Sequence, residues 1–187
     1  MLNQFILWSC LFLFSLQFCG ITNAQSYREL GAVSLNESFE NMLKYSKHKD
    51  FEKLSSSLQL IKPLSQSLDA KFSKNYEKAI LSAIENKDGE KALQAVQQLI
   101  YLDMEDQLLI GITIVPNSKD MAITKFKNAY MDYLFLSPYI QENDYPGDQK
   151  IKNLFRKFVL SINKYEELAG VNQDIKKEII KSYPNFN

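Results

Sequence analysis

Apolar residues recur along most of this chain at the three- and four-residue spacing of an α-helix. One stripe, in residues 122–140, contains Ala122, Phe126, Ala129, Tyr130, Tyr133 and Ile140. Another, in residues 151–168, contains Ile151, Leu154, Phe155, Phe158, Ile162, Tyr165 and Leu168. Such spacing puts the apolar side chains on one face of a helix, which can then pack against a core. The pattern predicts a bundle of amphipathic helices.

Residues that start or stop helices divide the first half of the chain into segments. Asn36, Asp50 and Ser73 are predicted to cap three helices, because short polar side chains accept hydrogen bonds from the first free amides of a helix. Pro63 is predicted to kink or break the second helix, since proline lacks an amide proton. The third helix is expected to end within residues 86–89, Asn-Lys-Asp-Gly.

The second half of the chain predicts longer helices. A fourth helix spans about residues 90–111, and residues 108–115 are apolar on every side, which predicts burial all round. The β-branched end of that run leaves a short strand as an alternative. The stripe in residues 122–140 belongs to a fifth helix, and residues 142–148 form a turn before a sixth helix that Gly170 closes. A last short helix spans residues 174–181. The sequence predicts an all-α fold, an antiparallel helical bundle of about five to seven helices.

Two charged segments resemble each other: residues 49–53, Lys-Asp-Phe-Glu-Lys, and residues 87–91, Lys-Asp-Gly-Glu-Lys. Their separation falls within the period of helical-hairpin repeats. The alternative is a chance similarity among charged surface positions.

The start of the chain has the features of an export signal. Residues 5–18, FILWSCLFLFSLQF, are almost wholly apolar but are too few to span a bilayer comfortably, which takes about 20 residues. The small residues Thr22-Asn23-Ala24 then fit cleavage before Gln25. We expect a signal peptide over residues 1–24 and a single α-helical domain over residues 25–187. A retained anchor and lipidation of Cys19 are the alternatives.

Cleavage at this point would remove much of the reactive chemistry of the chain. Cys10, Cys19 and the only tryptophan, Trp8, all lie in the leader, and one histidine, His48, remains. Thiol catalysis and disulfides are then excluded from the mature protein, which is expected to be extracytoplasmic, in the periplasm or secreted. The stable insertion of the mature protein into a membrane is not expected.

Composition and motifs further restrict the function. The 22 basic and 22 acidic residues balance to zero net charge, and nucleic-acid binding would require a basic face. No phosphate-binding loop and no nucleophile-elbow motif occurs in the sequence. His48 lies between two lysines, is expected to be an exposed turn residue, and cannot supply a zinc site alone. We predict a protein that is not an enzyme and holds no cofactor.

An acidic cluster, Asp103, Glu105 and Asp106, interrupts the apolar fourth helix. A solvated stripe on the helix surface is the favoured interpretation, with no metal bound. The alternative is an oxygen-ligand metal site that uses Asp103 and Asp106, since they share a helix face. Its further ligands would be chosen from Asp132, Tyr101, Tyr130 and Tyr133.

All ten tyrosines follow residue 24. Tyrosine is enriched at protein interfaces because its ring packs while its hydroxyl stays in contact with water. The interface candidates are Tyr130, Tyr133, Tyr139 and Tyr145. Together with the leader, the neutral charge and the excluded chemistries, these tyrosines predict an exported, non-catalytic protein that acts through protein–protein contacts or self-association. Its expected role is that of an accessory, scaffold or assembly subunit of an extracytoplasmic complex. The alternative is a periplasmic binding module for a metal ion or small ligand that uses carboxylate and tyrosine side chains.

The two apolar stripes also predict part of the core, namely Phe126, Tyr130, Leu154, Phe155 and Phe158. Truncation of Phe155 to alanine should therefore destabilise the protein. The variant Lys152→Ala, on the polar side of the same helix, should have almost no effect.

Overall fold

The computed structural model describes residues 34–186, which contain seven α-helices, two short 3-10 turns and no strand. The helices are α1 (Leu35–His48), α2 (Phe51–Leu60), α3 (Lys62–Phe72), α4 (Tyr76–Glu85), α5 (Gly89–Ile114), α6 (Lys119–Leu160) and α7 (Tyr165–Ser182). The predicted all-α bundle is confirmed. The predictions of a signal peptide over residues 1–24, of cleavage before Gln25 and of lipidation at Cys19 lie outside the described residues.

Helix α5 forms the axis of the fold. It packs against α1, α3, α4, α6 and α7, so its middle is surrounded by other helices. From Leu99 to Leu108 every side chain on α5 is buried, polar ones included. This central position explains why the apolar residues of α5 are not confined to one face of the helix.

Several helix boundaries agree with the predicted caps and breaks. The Asp50 side chain accepts the Lys53 amide at 3.3 Å at the start of α2, and Pro63 lies in the first turn of α3, directly after a break. Two caps were predicted wrongly. Helix α1 is capped by Ser34 rather than Asn36, and Ser73 instead ends α3, in a left-handed conformation with φ of 53°.

The end of α5 is entirely helical, so no strand forms in residues 108–115. Burial all round was also a wrong prediction, because Leu109 is 36% exposed and Thr113 is exposed as well. Gly170 lies inside α7 instead of ending a helix. A glycine within a helix costs only about 0.5–1 kcal/mol relative to alanine, which packing of the buried face can offset. The break occurs earlier, after Leu160, where a 3-10 turn leads to α7.

Helix α6 is a tight hairpin of two helical arms, residues 119–143 and 145–160. Only Asp144 leaves the helical conformation, with φ of −150° and ψ of 80°. Its side chain accepts the Gly147 amide at 2.9 Å and thereby caps the second arm. The turn predicted at residues 142–148 is thus a sharp break within α6 that needs no loop.

Aromatic contacts join the two arms in antiparallel order. The rings of Phe126 and Phe158 meet edge to face with centroids 4.4 Å apart, and those of Tyr130 and Phe155 lie 5.3 Å apart. Of the five predicted core residues, Phe126, Phe155 and Phe158 are buried, whereas Tyr130 and Leu154 are only half-buried.

The similar segments 49–53 and 87–91 form the same kind of helix corner. In each, the first lysine is left-handed, with φ of 58° and 51°, and the following aspartate caps the next helix. Asp50 and Asp88 also pair with the lysine three residues later, at 2.8 and 3.1 Å. Shared corner geometry accounts for the resemblance.

Candidate functional site

The acidic cluster of α5 is buried, so the prediction of a solvated stripe was wrong. Asp103 is 0% exposed, Asp106 4% and Glu105 9%. The physical reason is the central position of α5, whose every face near this cluster is covered by a neighbouring helix.

Lysines from outer helices neutralise this buried charge. Lys71 of α3 donates to Asp106, and Lys176 of α7 donates to Glu105. Within α5, Gln107 Nε2 donates to Asp103 Oδ1 at 3.2 Å. Burial raises the pKa of Asp106, while the Lys71 ammonium opposes that rise. The cluster acts as an electrostatic tie between α5 and two surrounding helices.

The geometry of residues 34–186 gives no support to the alternative of a metal site. Across residues 34–186, no group of three or more histidine, cysteine, aspartate or glutamate side chains is arranged to hold a metal ion. Asp132 is fully buried on α6, and burial raises the pKa of Tyr101, which disfavours the phenolate that would bind a metal. His48, the last residue of α1, is exposed as expected.

We therefore expect iron, manganese, calcium or zinc not to shift the melting temperature of the protein. A bound metal at a hundredfold excess over its dissociation constant would add about 2.7 kcal/mol. The melting temperature is measured with each ion added, and elemental analysis gives the metal content of the purified protein. A shift that the double variant Asp103→Asn/Asp106→Asn abolishes would contradict this expectation. That variant needs its own metal-free melt, because the loss of Asp106 leaves Lys71 without its partner.

The four tyrosine candidates differ in accessibility. Tyr133 is 0% exposed, and a fully buried ring cannot contact a partner, so it is a core residue rather than an interface residue. Tyr130 and Tyr139 are half-buried, and Tyr145 is 60% exposed beside the break in α6. Only these three can take part in an interface.

The buried carboxylate of Asp148 links the two arms of α6. It accepts hydrogen bonds from the Tyr133 hydroxyl, Ser137 Oγ (2.6 Å), Gln141 Nε2 (3.0 Å) and Lys152 Nζ (2.8 Å). Burial by itself would raise the pKa of Asp148, but these donors outweigh it and hold the pKa below its usual value. Burial and the adjacent Asp148 also raise the pKa of Tyr133, which keeps its hydroxyl a donor. We call this set the Asp148 cluster; it fixes the spacing of the arms.

An open groove of about 430 Å³ runs between the same two arms. Phe126, Tyr130 and Phe155 contribute aromatic surface to its floor. At one end lie Val159, 42% exposed, and Leu160, 74% exposed. Neighbouring large apolar side chains left in contact with water are typical of interaction sites. The groove is the candidate functional site.

Positive charge lines the rim of this groove. Lys127, Lys152 and Arg156 all border it. Lys152 is neutralised by Asp148, but Lys127 and Arg156 are exposed and form no ion pair with any carboxylate in residues 34–186. The chain as a whole is neutral, so the groove is a local cationic surface with an apolar floor.

The sequence pattern missed the groove because its residues come from both arms of a hairpin that was expected to contain a longer turn. One signal was available. Val159 and Leu160 directly follow the core residue Phe158, and three consecutive apolar residues, which are about 100° apart on a helix, cannot all lie on one buried stripe.

None of the helices between residues 34 and 186 has the length and apolar character needed to cross a membrane. No protein-family model, curated protein or solved structure matches the chain, so the geometry of the groove carries the functional argument.

Proposed function

We propose that this chain is an exported, non-catalytic helical protein that works through protein contacts, as an accessory, scaffold or assembly subunit of an extracytoplasmic complex. The observation that supports this proposal is the groove between the arms of α6, where an apolar floor meets a cationic rim, two of whose three cations, Lys127 and Arg156, form no ion pair within residues 34–186. Export is supported by the leader pattern in residues 1–24.

The side chains around the groove favour binding over catalysis. General acid–base and nucleophilic catalysis depend on groups such as histidine, carboxylates or activated hydroxyls that can reach a substrate. The groove is lined by aromatic, aliphatic, amide, lysine and arginine side chains, and no carboxylate, histidine or serine is among its lining residues. Asp148, which pairs with Lys152 of the rim, is fully buried and accepts several hydrogen bonds. A surface of this composition suits contact with another molecule.

A photo-crosslinking side chain at Asn153 tests the proposed function. Asn153 is exposed and borders the groove, whereas Gln59 of α2 is also exposed but lies on another helix and serves as the control position. In the native host we expect a crosslinked species of defined mass from position 153 and none from position 59. Equal crosslinking at both positions, or none at 153 in a protein with unchanged melting behaviour, would contradict the proposal.

Export makes a separate prediction. The protein isolated from its host should begin near Gln25, because Thr22-Asn23-Ala24 fits the cleavage site of a signal peptidase. N-terminal sequencing or intact mass decides it. An intact Met1, or a lipid mass increment on Cys19, would refute the predicted processing.

A further inference from the structure

We infer that the groove between the arms of α6 binds an acidic, amphipathic helix of a protein partner. This inference rests on the proposed function and specifies the chemistry of the partner. Its evidence is the charge of the rim, the shape of the apolar surface and the rigidity of the floor.

The charge of the rim selects an acidic partner. Lys127 and Arg156 lie on opposite arms, both exposed, and neither forms an ion pair with a carboxylate of the described chain. Arginine binds carboxylates with two parallel hydrogen bonds, and lysine offers a point charge. Glutamate or aspartate side chains that flank an apolar segment would form ion pairs with both cations.

The apolar surface is elongated. Lys127, Met131 and Leu134 follow one another at positions i, i+4 and i+7 and so share a face of the first arm. Met131 is 40% exposed and Leu134 is 37% exposed. Met131 and Leu134 lie outside the groove lining, and with a rise of 1.5 Å per residue they continue along the same face for roughly 10 Å from Lys127. A second helix lying along the arm would match this stripe with anchors at similar spacing.

The floor of the groove is held in place before any partner binds. Gly111 of α5 lets the Phe126 ring lie against the helix backbone, since a Cβ there would be 2.1 Å from Phe126 Cε1. The Asp148 cluster fixes the arms behind the groove and also positions Lys152 at its rim. A preorganised surface loses little conformational freedom on binding, which favours affinity.

A single-chain anionic amphiphile such as a fatty acid is the rival occupant. Small-ligand sites bury about 70–90% of the surface of their ligand. This groove is open to solvent rather than enclosed, and its most exposed apolar residue, Leu160, is 74% exposed at one end. These features favour a helix that covers the groove over a ligand that enters it.

Two designed peptides test the inference against the full mature chain. Each is an amphipathic helix of about 18 residues with leucine at positions i, i+3, i+4 and i+7, one flanked by glutamates and the other by lysines in the same positions. Fluorescence anisotropy should show that the glutamate peptide binds at least about tenfold more tightly, with an affinity that falls as salt rises from about 50 to 500 mM.

Charge reversal at the rim provides the specific control. The double variant Lys127→Glu/Arg156→Glu should no longer bind the glutamate peptide and should gain affinity for the lysine peptide. Lys157→Glu should change neither affinity, because Lys157 is exposed but does not line the groove. Leu160→Ser should weaken binding without changing the melting temperature, since the side chain is largely exposed.

Equal affinity for the two peptides, or an unchanged preference in the double variant, would overturn the inference. So would dodecanoate that binds the wild type, but not the double variant, while neither peptide binds. If photo-crosslinks still form at Asn153 in any of these cases, the proposed function stands and only the acidic-helix partner is refuted.

Discussion

Replacement of Asp148 by alanine is expected to lower the free energy of unfolding by about 3–5 kcal/mol, the usual cost of removing one partner from a buried charged pair. The carboxylate is fully buried and accepts hydrogen bonds from Tyr133, Ser137, Gln141 and Lys152. Its removal takes the carboxylate acceptor away from the hydroxyls of Tyr133 and Ser137, which are buried and cannot turn to water instead. Chemical denaturation monitored by circular dichroism gives the measurement.

The matched control is Asp174→Ala in α7, where the carboxylate is exposed and forms no ion pair within residues 34–186. We expect a change within about 0.5 kcal/mol for this surface substitution. Similar losses in the two variants would show that the Asp148 cluster does not stabilise the hairpin.

The pH dependence of stability supplies a further measure of the same cluster. Because the pKa of Asp148 is lowered in the folded protein, its contribution is present above the unfolded value of about 3.9 and is lost as pH falls through the lower folded value. The wild type should therefore lose more stability than Asp148→Asn when pH is lowered below about 4. Parallel curves for the two proteins would contradict the lowered pKa.

Phe155→Ala is expected to lower the free energy of unfolding by about 3–5 kcal/mol, as is usual when a buried phenylalanine is truncated. Its ring is 4% exposed and lies 5.3 Å from the ring of Tyr130 and 5.2 Å from that of Tyr133. The cavity would open between the arms of α6, beneath the groove. The measurement is the midpoint of urea unfolding of the variant compared with that of the wild type.

The structure changes the control for this experiment. Lys152→Ala, expected from the sequence to be nearly silent, would remove the cation that pairs with buried Asp148 at 2.8 Å. Lys157→Ala replaces it, because Lys157 is exposed on the same arm and has no such contact. Comparable midpoints for Phe155→Ala and Lys157→Ala would mean that the buried face of this arm is assigned wrongly.

The local pattern of the sequence determined the secondary structure and most helix breaks. Apolar spacing identified the two stripes that meet in α6, and the caps and breaks at Asp50, Pro63 and residues 142–148 follow from short-range chemistry. These features depend on neighbours within one or two turns, which a single sequence displays directly. Gly170 was wrongly predicted to end a helix, because the intrinsic free-energy cost of a glycine within a helix is small beside the stabilisation from packing of the buried face of α7.

Only the tertiary structure decided the fate of the charged residues and the existence of the groove. Asp106 and Glu105 are buried because lysines 35 and 71 residues away in the sequence reach them from other helices. Asp148 changes from a turn residue to the centre of a buried cluster because the hairpin closes on it. Burial of a charge depends on compensation from groups distant in sequence, and a groove depends on how two helices meet, so neither is encoded in local periodicity.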